Sequence, residues 1–143
     1  MTVSDDQEDR SILVACFGNK VFGIDRRNGT VRWQAEVAGG KWESVELAVA
    51  GGWVVACTDT HLHFLDYGSG RIVSSVEHGV RCKGRPVMLI DQGQIIVGMA
   101  EQLAAYSTSG QPLWTQPFKG GGQRCMSMGF PGNVRQADDE GSR

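Results

Sequence analysis

His61 and His63 flank Leu62 in an apolar run, and the two-residue period of an extended segment would set both imidazoles on one face. Two histidines on one face, with Asp59 close by in the chain, are the beginning of a zinc site. A zinc held by protein needs three or four ligands and no others are evident locally, so two polar residues on an exposed strand face is the better reading. The same discount applies to His78 and Cys82, four residues apart. Lys119-Gly120-Gly121-Gly122 lacks the Gly-x4-Gly-Lys-Ser/Thr spacing of a phosphate loop, and reads as a flexible link or hinge before the last strand. Trp33, Trp53 and Trp114 could stack on the rings of a sugar or another small ligand. No Ser-His-Asp arrangement can be argued from the chain alone, and no catalytic residue, cofactor or metal is expected.

Composition narrows the partners. The 143 residues are 41% hydrophobic and 21% charged with a formal net charge of -2, which gives no basic excess for nucleic acid. No apolar run approaches the roughly 20 residues that cross a bilayer, and the N-terminus is acidic where an export signal is basic, so no membrane partner and a cytoplasmic site are expected. Cys16, Cys57, Cys82 and Cys125 form no close pair and read as reduced, buried side chains. Residues 1–10 and 133–143 read as disordered acidic tails that aid solubility.

The elements that carry these residues repeat. Turn glycines Gly29, Gly70 and Gly110 are 41 and 40 residues apart, and Gly52, Gly93 and Gly132 are 41 and 39 apart. Each unit has an apolar run (Ile12 to Cys16, Trp53 to Cys57, Gln94 to Gly98), then a second one (Val21 to Asp25, Leu62 to Asp66, Leu103 to Ser107) that ends in a polar turn. A third strand follows the turn: Thr30 to Val37, Arg71 to Glu77, Gln111 to Phe118. The most apolar runs, Val45 to Ala50, Pro86 to Ile90 and Cys125 to Phe130, read as strands buried on both faces, nearest the axis of a propeller.

The fold class is therefore all-β, with three four-stranded blades at about 11–37, 44–77 and 85–118 and a stray final strand at 124–130. Blade one lacks an inner strand and the chain ends with a spare one. Three blades cannot fill a ring that normally has roughly four to eight, so a homodimer is expected, forming six blades by exchange of the terminal strand. In that arrangement Cys125, Met126, Ser127, Met128 and Phe130 of one copy pair with Leu13 and Val14 of the other.

The repeat resembles the PQQ-like, quinoprotein-type β-propeller repeat, in which a strand ending in Ala-x-Asp is followed by a turn with Gly and then by Trp. Copy one, Gly23-Ile24-Asp25-Arg26-Arg27-Asn28-Gly29-Thr30-Val31-Arg32-Trp33, is close to it. Copy two keeps Asp66 and Gly70 but has Ser74 at the Trp position; copy three keeps Gly110 and Trp114 but loses the Asp. The resemblance implies a structural, blade-packing job for Trp33 and Trp114 and, with them, for the turn residues Asp25, Asp66, Gly29, Gly70 and Gly110. It covers both quinone-dependent dehydrogenases and scaffolds that bind no cofactor. A non-enzymatic module that self-assembles and recognises a protein partner is expected, with a small-molecule or carbohydrate binder as the alternative and a quinone-dependent dehydrogenase as the remote one.

Overall fold

The computed structural model describes residues 9–38, 45–58, 60–77, 87–99, 102–118 and 127–136. Asp59, His78, Cys82, the Lys119 to Gly122 link, Cys125 and Met126 lie outside the described residues, as does most of each terminal tail. Among the described residues thirteen strands are arranged as antiparallel neighbours in chain order. The first sheet holds β1 (Ile12–Phe17), β2 (Lys20–Asp25) and β3 (Val31–Glu36). The second holds β4 (Glu46–Ala50), β5 (Trp53–Cys57), β6 (His61–Asp66) and β7 (Ile72–Glu77). The third holds β8 (Val87–Asp91), β9 (Gln94–Met99), β10 (Gln102–Ser107) and β11 (Pro112–Pro117). A last hairpin pairs β12 (Ser127–Phe130) with β13 (Asn133–Gln136).

Alternation along the strands decides which blade each side chain meets. In the second blade Val54, Ala56 and Leu65 pack with Ile12, Val21, Trp33 and Val37 of the first, forming one core. Their neighbours in sequence, Val55, Cys57, Leu62 and Phe64, turn the other way and pack with Met88, Ile95, Val97, Ala104 and Tyr106 of the third. The run Val54-Val55-Ala56-Cys57 is apolar without alternation because both faces of its sheet are covered.

The first strands of successive blades stand side by side, β4 against β8 and β8 against β12, as strands around an axis do. Two expectations are corrected here. The inner strands are not all buried on both faces: β4 is half-buried with Val49 46% exposed and β12 is mostly exposed, whereas Val87, Met88 and Leu89 of β8 are buried, as almost all of β5 and β6 is. Burial follows contact between blades: β8 stands between β4 and β12, and it is the most buried of the three. The segment after Gly132 is also not wholly a disordered tail, since Asn133–Gln136 is β13. Gly132 has φ 78°, like Gly52 at 82° and Gly93 at 80° in the two preceding hairpins, so the same turn recurs and a second strand follows it. Its polar composition hides it: the Asn133 amide donates to the Ile90 carbonyl and to Asp91 Oδ1, which pins β13 to the third blade. In this chain β12 therefore pairs with β13, and β1 remains an edge strand with β2 as its only neighbour among the described residues.

Candidate interaction surface at the blade junctions

Each unit closes its polar turn by the same wiring. The amide of Gly29 donates to the Asp25 carbonyl, that of Gly70 to Asp66 and that of Gly110 to Ser107, at 2.7 to 2.9 Å. Side chains then take the remaining turn amides. Asp25 Oδ1 accepts from the Arg27 amide at 2.9 Å, and the Arg27 guanidinium grips both carboxylate oxygens at 3.2 and 3.1 Å. Those hydrogen bonds from Arg27 hold the Asp25 carboxyl below the usual carboxylate range. Asp66 Oδ2 accepts from both the hydroxyl and the amide of Ser69, at 2.8 and 2.9 Å, and is lowered by them. In copy three Ser107 Oγ accepts from the amides of Ser109 and Gln111, so a hydroxyl does the work of the missing carboxylate.

These turns matter because the preceding blade sits on them. Trp33 is 7% exposed, its Nε1–H donates to the Tyr67 carbonyl at 2.9 Å, and its ring covers Gly70 so closely that no Cβ fits there. The other side of the ring covers Gly23, its cross-strand neighbour, with equally little room. At the second junction Gly110 is covered instead by Phe64 and Val76, 3.3 to 3.7 Å from where its Cβ would be. Phe64 faces Ser74 in the register at which Gly23 faces Trp33. The bulk that copy one carries on its third strand is carried by copy two on the strand beside it.

At the two ends of the arc the pattern is unfilled. Trp114 faces Ala105 in the same register as Trp33 and Gly23, but is 42% exposed. Its face of the third blade carries Leu89, Ile96 and Ala105, which are buried with Leu103 and Met128 packed against them, while the Trp114 ring beside them stays half-exposed. At the opposite end Gly29, with φ 77°, has nothing within 4 Å of a Cβ position. Leu13 and Phe17 on the outer face of the first blade are 60% and 71% exposed.

Where an inner strand of the first blade would run there is a cleft of about 930 Å³, lined by Leu13 and Val14 of β1 and by Val49, Ala50 and Gly52 beside β4. One rung of the missing ladder is supplied by a side chain. The Tyr67 hydroxyl accepts from the Ile12 amide at 2.9 Å and donates to the Ile12 carbonyl at 2.7 Å. Ile12 thus points its peptide groups away from β2, and the pleat aims those of Val14 and Cys16 to the same open edge.

The histidines share one face as period two requires, but that face is not the exposed one expected for them. Their rings stack at 5.6 Å, but His63 is buried and engages both nitrogens, Nε2 with the Ala38 carbonyl at 2.8 Å and Nδ1 with Ser75 Oγ at 2.7 Å. The Ala38 carbonyl can only accept, so Nε2 carries a proton and donates to it, and in the neutral ring Nδ1 then accepts from Ser75 Oγ. Burial lowers its pKa, assisted by His61 and opposed by the Ala38 carbonyl. Among the described residues no three of His, Cys, Asp and Glu come together as a metal site would require. Trp33 is unavailable as a platform for a sugar, and Trp53 packs edge-on against Phe64.

The arrangement has counterparts among solved structures. BamB from Moraxella catarrhalis superposes with a TM-score of 0.64 at 23% identity, over 89% of this chain and 43% of that one. The fold is a β-propeller. The WD40 domain of Neurospora crassa Pan2 superposes at 0.65 with 9% identity, over 78% of this chain and 36% of that one. A europium-containing methanol dehydrogenase does so at 0.58 with 19% identity, over 74% and 22%. This propeller chain spans less than half the length of each of these. No protein-family model and no curated protein matches it.

Proposed function

We propose that this chain is a non-enzymatic propeller module for protein interaction, and that it assembles with a second copy into one six-bladed ring. The observation that carries this reading is the exposed apolar side chains at the two ends of the described blades: Leu13 and Phe17 on the first blade, and Trp114 on the third. Every internal face of the same kind is covered by a neighbouring blade, and exposed apolar faces in register with a buried one mark a place of assembly. The six-bladed count rests on two copies of the three repeated units in each chain.

Closure by strand exchange seats β12 of one copy in the cleft beside β1 of the other. For this β13 has to leave. It is a weak occupant: four residues long and polar, with Val134 70% exposed, where β1 is six residues long and carries Ile12, Leu13 and Val14. Until exchange, β13 covers the edge of β12 and keeps it from pairing at random.

Light scattering on a size-exclusion column across a dilution series tests the reading. A mass near twice 15.5 kDa that persists on dilution supports it. A monomer at every concentration overturns self-assembly.

A further inference from the structure

The two unfilled ends match each other. Inside the chain, the third strand of a blade sets a large side chain on the turn glycine of the next, as Trp33 does on Gly70. The third blade has the large side chain, Trp114, in the same register and with no described turn beneath it. The first blade has the turn, Asp25 to Gly29, wired like that of Asp66 to Gly70 but with open space above its glycine.

We propose that Trp114 of one copy seats on the Asp25 to Gly29 turn of the second copy, repeating between chains the contact that Trp33 makes within one. This rests on the self-assembly proposed above and names its seam. Arg26 occupies the turn position of Tyr67, so its carbonyl is the acceptor for the Trp114 indole N–H. Ala105 beneath Trp114 has one methyl more than Gly23 beneath Trp33, which leaves the indole less room over its own sheet. The seam buries the exposed ring, Leu13 and the outer face of β2 in one continuous core, as the two internal junctions do. Because each copy offers one ring and one turn, two copies satisfy both seams and close.

The test uses the full chain and three variants. Trp114→Ser copies the residue found at position 74. Gly29→Asn keeps a residue that tolerates positive φ and fills the open space above the turn. Gly93→Asn makes the same change at a turn with φ 80° and open space, away from the seam, and serves as control. Trp114→Ser and Gly29→Asn are each expected to raise the concentration at which the assembly dissociates by on the order of tenfold or more, with unchanged circular dichroism. Gly93→Asn is expected to leave it unmoved. An assembly that survives both seam variants overturns the Trp114 contact while leaving self-assembly standing. A wild-type chain that is monomeric throughout overturns both. A ring of another count that both variants dissolve upholds the seam and corrects only the number of copies.

Discussion

Phe64 stands opposite Ser74 across β6 and β7, in the register at which Gly23 stands opposite Trp33 across β2 and β3. At each junction one large and one small side chain share the space from opposite strands, and the large one covers the turn glycine of the following blade. Interiors are packed densely enough that only such a paired exchange leaves the volume conserved.

This pairing is expected to appear as coupling. Phe64→Gly alone should cost at least about 3–5 kcal/mol and Ser74→Trp alone about 1–3 kcal/mol, the first from a cavity and the second from overpacking. The double variant should be less destabilised than the sum by at least about 1 kcal/mol. Urea unfolding of the four proteins measures it; strict additivity would mean that the two sites do not share a pocket.

Gly70 and Gly93 separate two costs of adding a Cβ. Both have positive φ, 73° and 80°, but only Gly70 lies under a ring. Gly93→Ala should cost about 1–2 kcal/mol from backbone strain alone. Gly70→Ala should cost more, because Trp33 must also move. Equal losses in thermal unfolding would show that the indole does not rest there.

Stability should fall on mild acidification because of His63. Its pKa is lowered in the fold, so between that value and the unfolded value of about 6.5 the unfolded chain binds the extra proton. The contribution is complete above about pH 6.5, declines below it, and levels off once the folded imidazole protonates. Melting temperature against pH for wild type and His63→Asn tests this: the variant should lose the slope, and an unchanged slope would assign it elsewhere.

At the turns, Asp25→Ser should be milder than Asp25→Leu, since Ser107 already caps the same turn in the third copy. The carboxylates of Asp25 and Asp66 have lowered pKa values, so their contribution is present above the unfolded value of about 3.9 and is lost as pH falls through the folded ones. Thermal melts of the two Asp25 variants, with an acid titration of the wild type, give both readings. A serine as damaging as leucine would mean that the carboxylate charge is what the turn needs.

The strands and their turns were legible because period-two patterning and glycines with positive φ are local signals, and Gly29, Gly70 and Gly110 recur on them. The turn role of Ser107 was hidden because a hydroxyl replaces a carboxylate without leaving a motif. Compensation of Ser74 by Phe64 depends on cross-strand register, although both departures fall in one copy: Phe64 stands two residues before Asp66, where copy one has Gly23 and copy three Ala105. Tyr67 could not be read at all, since its partner Ile12 is 55 residues away. β13 was missed because its four residues show polarity and no alternation.

The second blade is covered by a blade on both faces, the first on one, and the third by a blade on one and by the β12–β13 hairpin on part of the other, so resistance to opening is distributed unevenly along the chain. Backbone amides of β5 and β6 should exchange with heavy water only when everything unfolds, while those of β1 and β13 escape through small local openings. Heat or pulling force would dismantle the molecule from its ends toward its middle. Whatever covers those ends therefore raises the melting temperature of the whole, by restraining the parts that leave first.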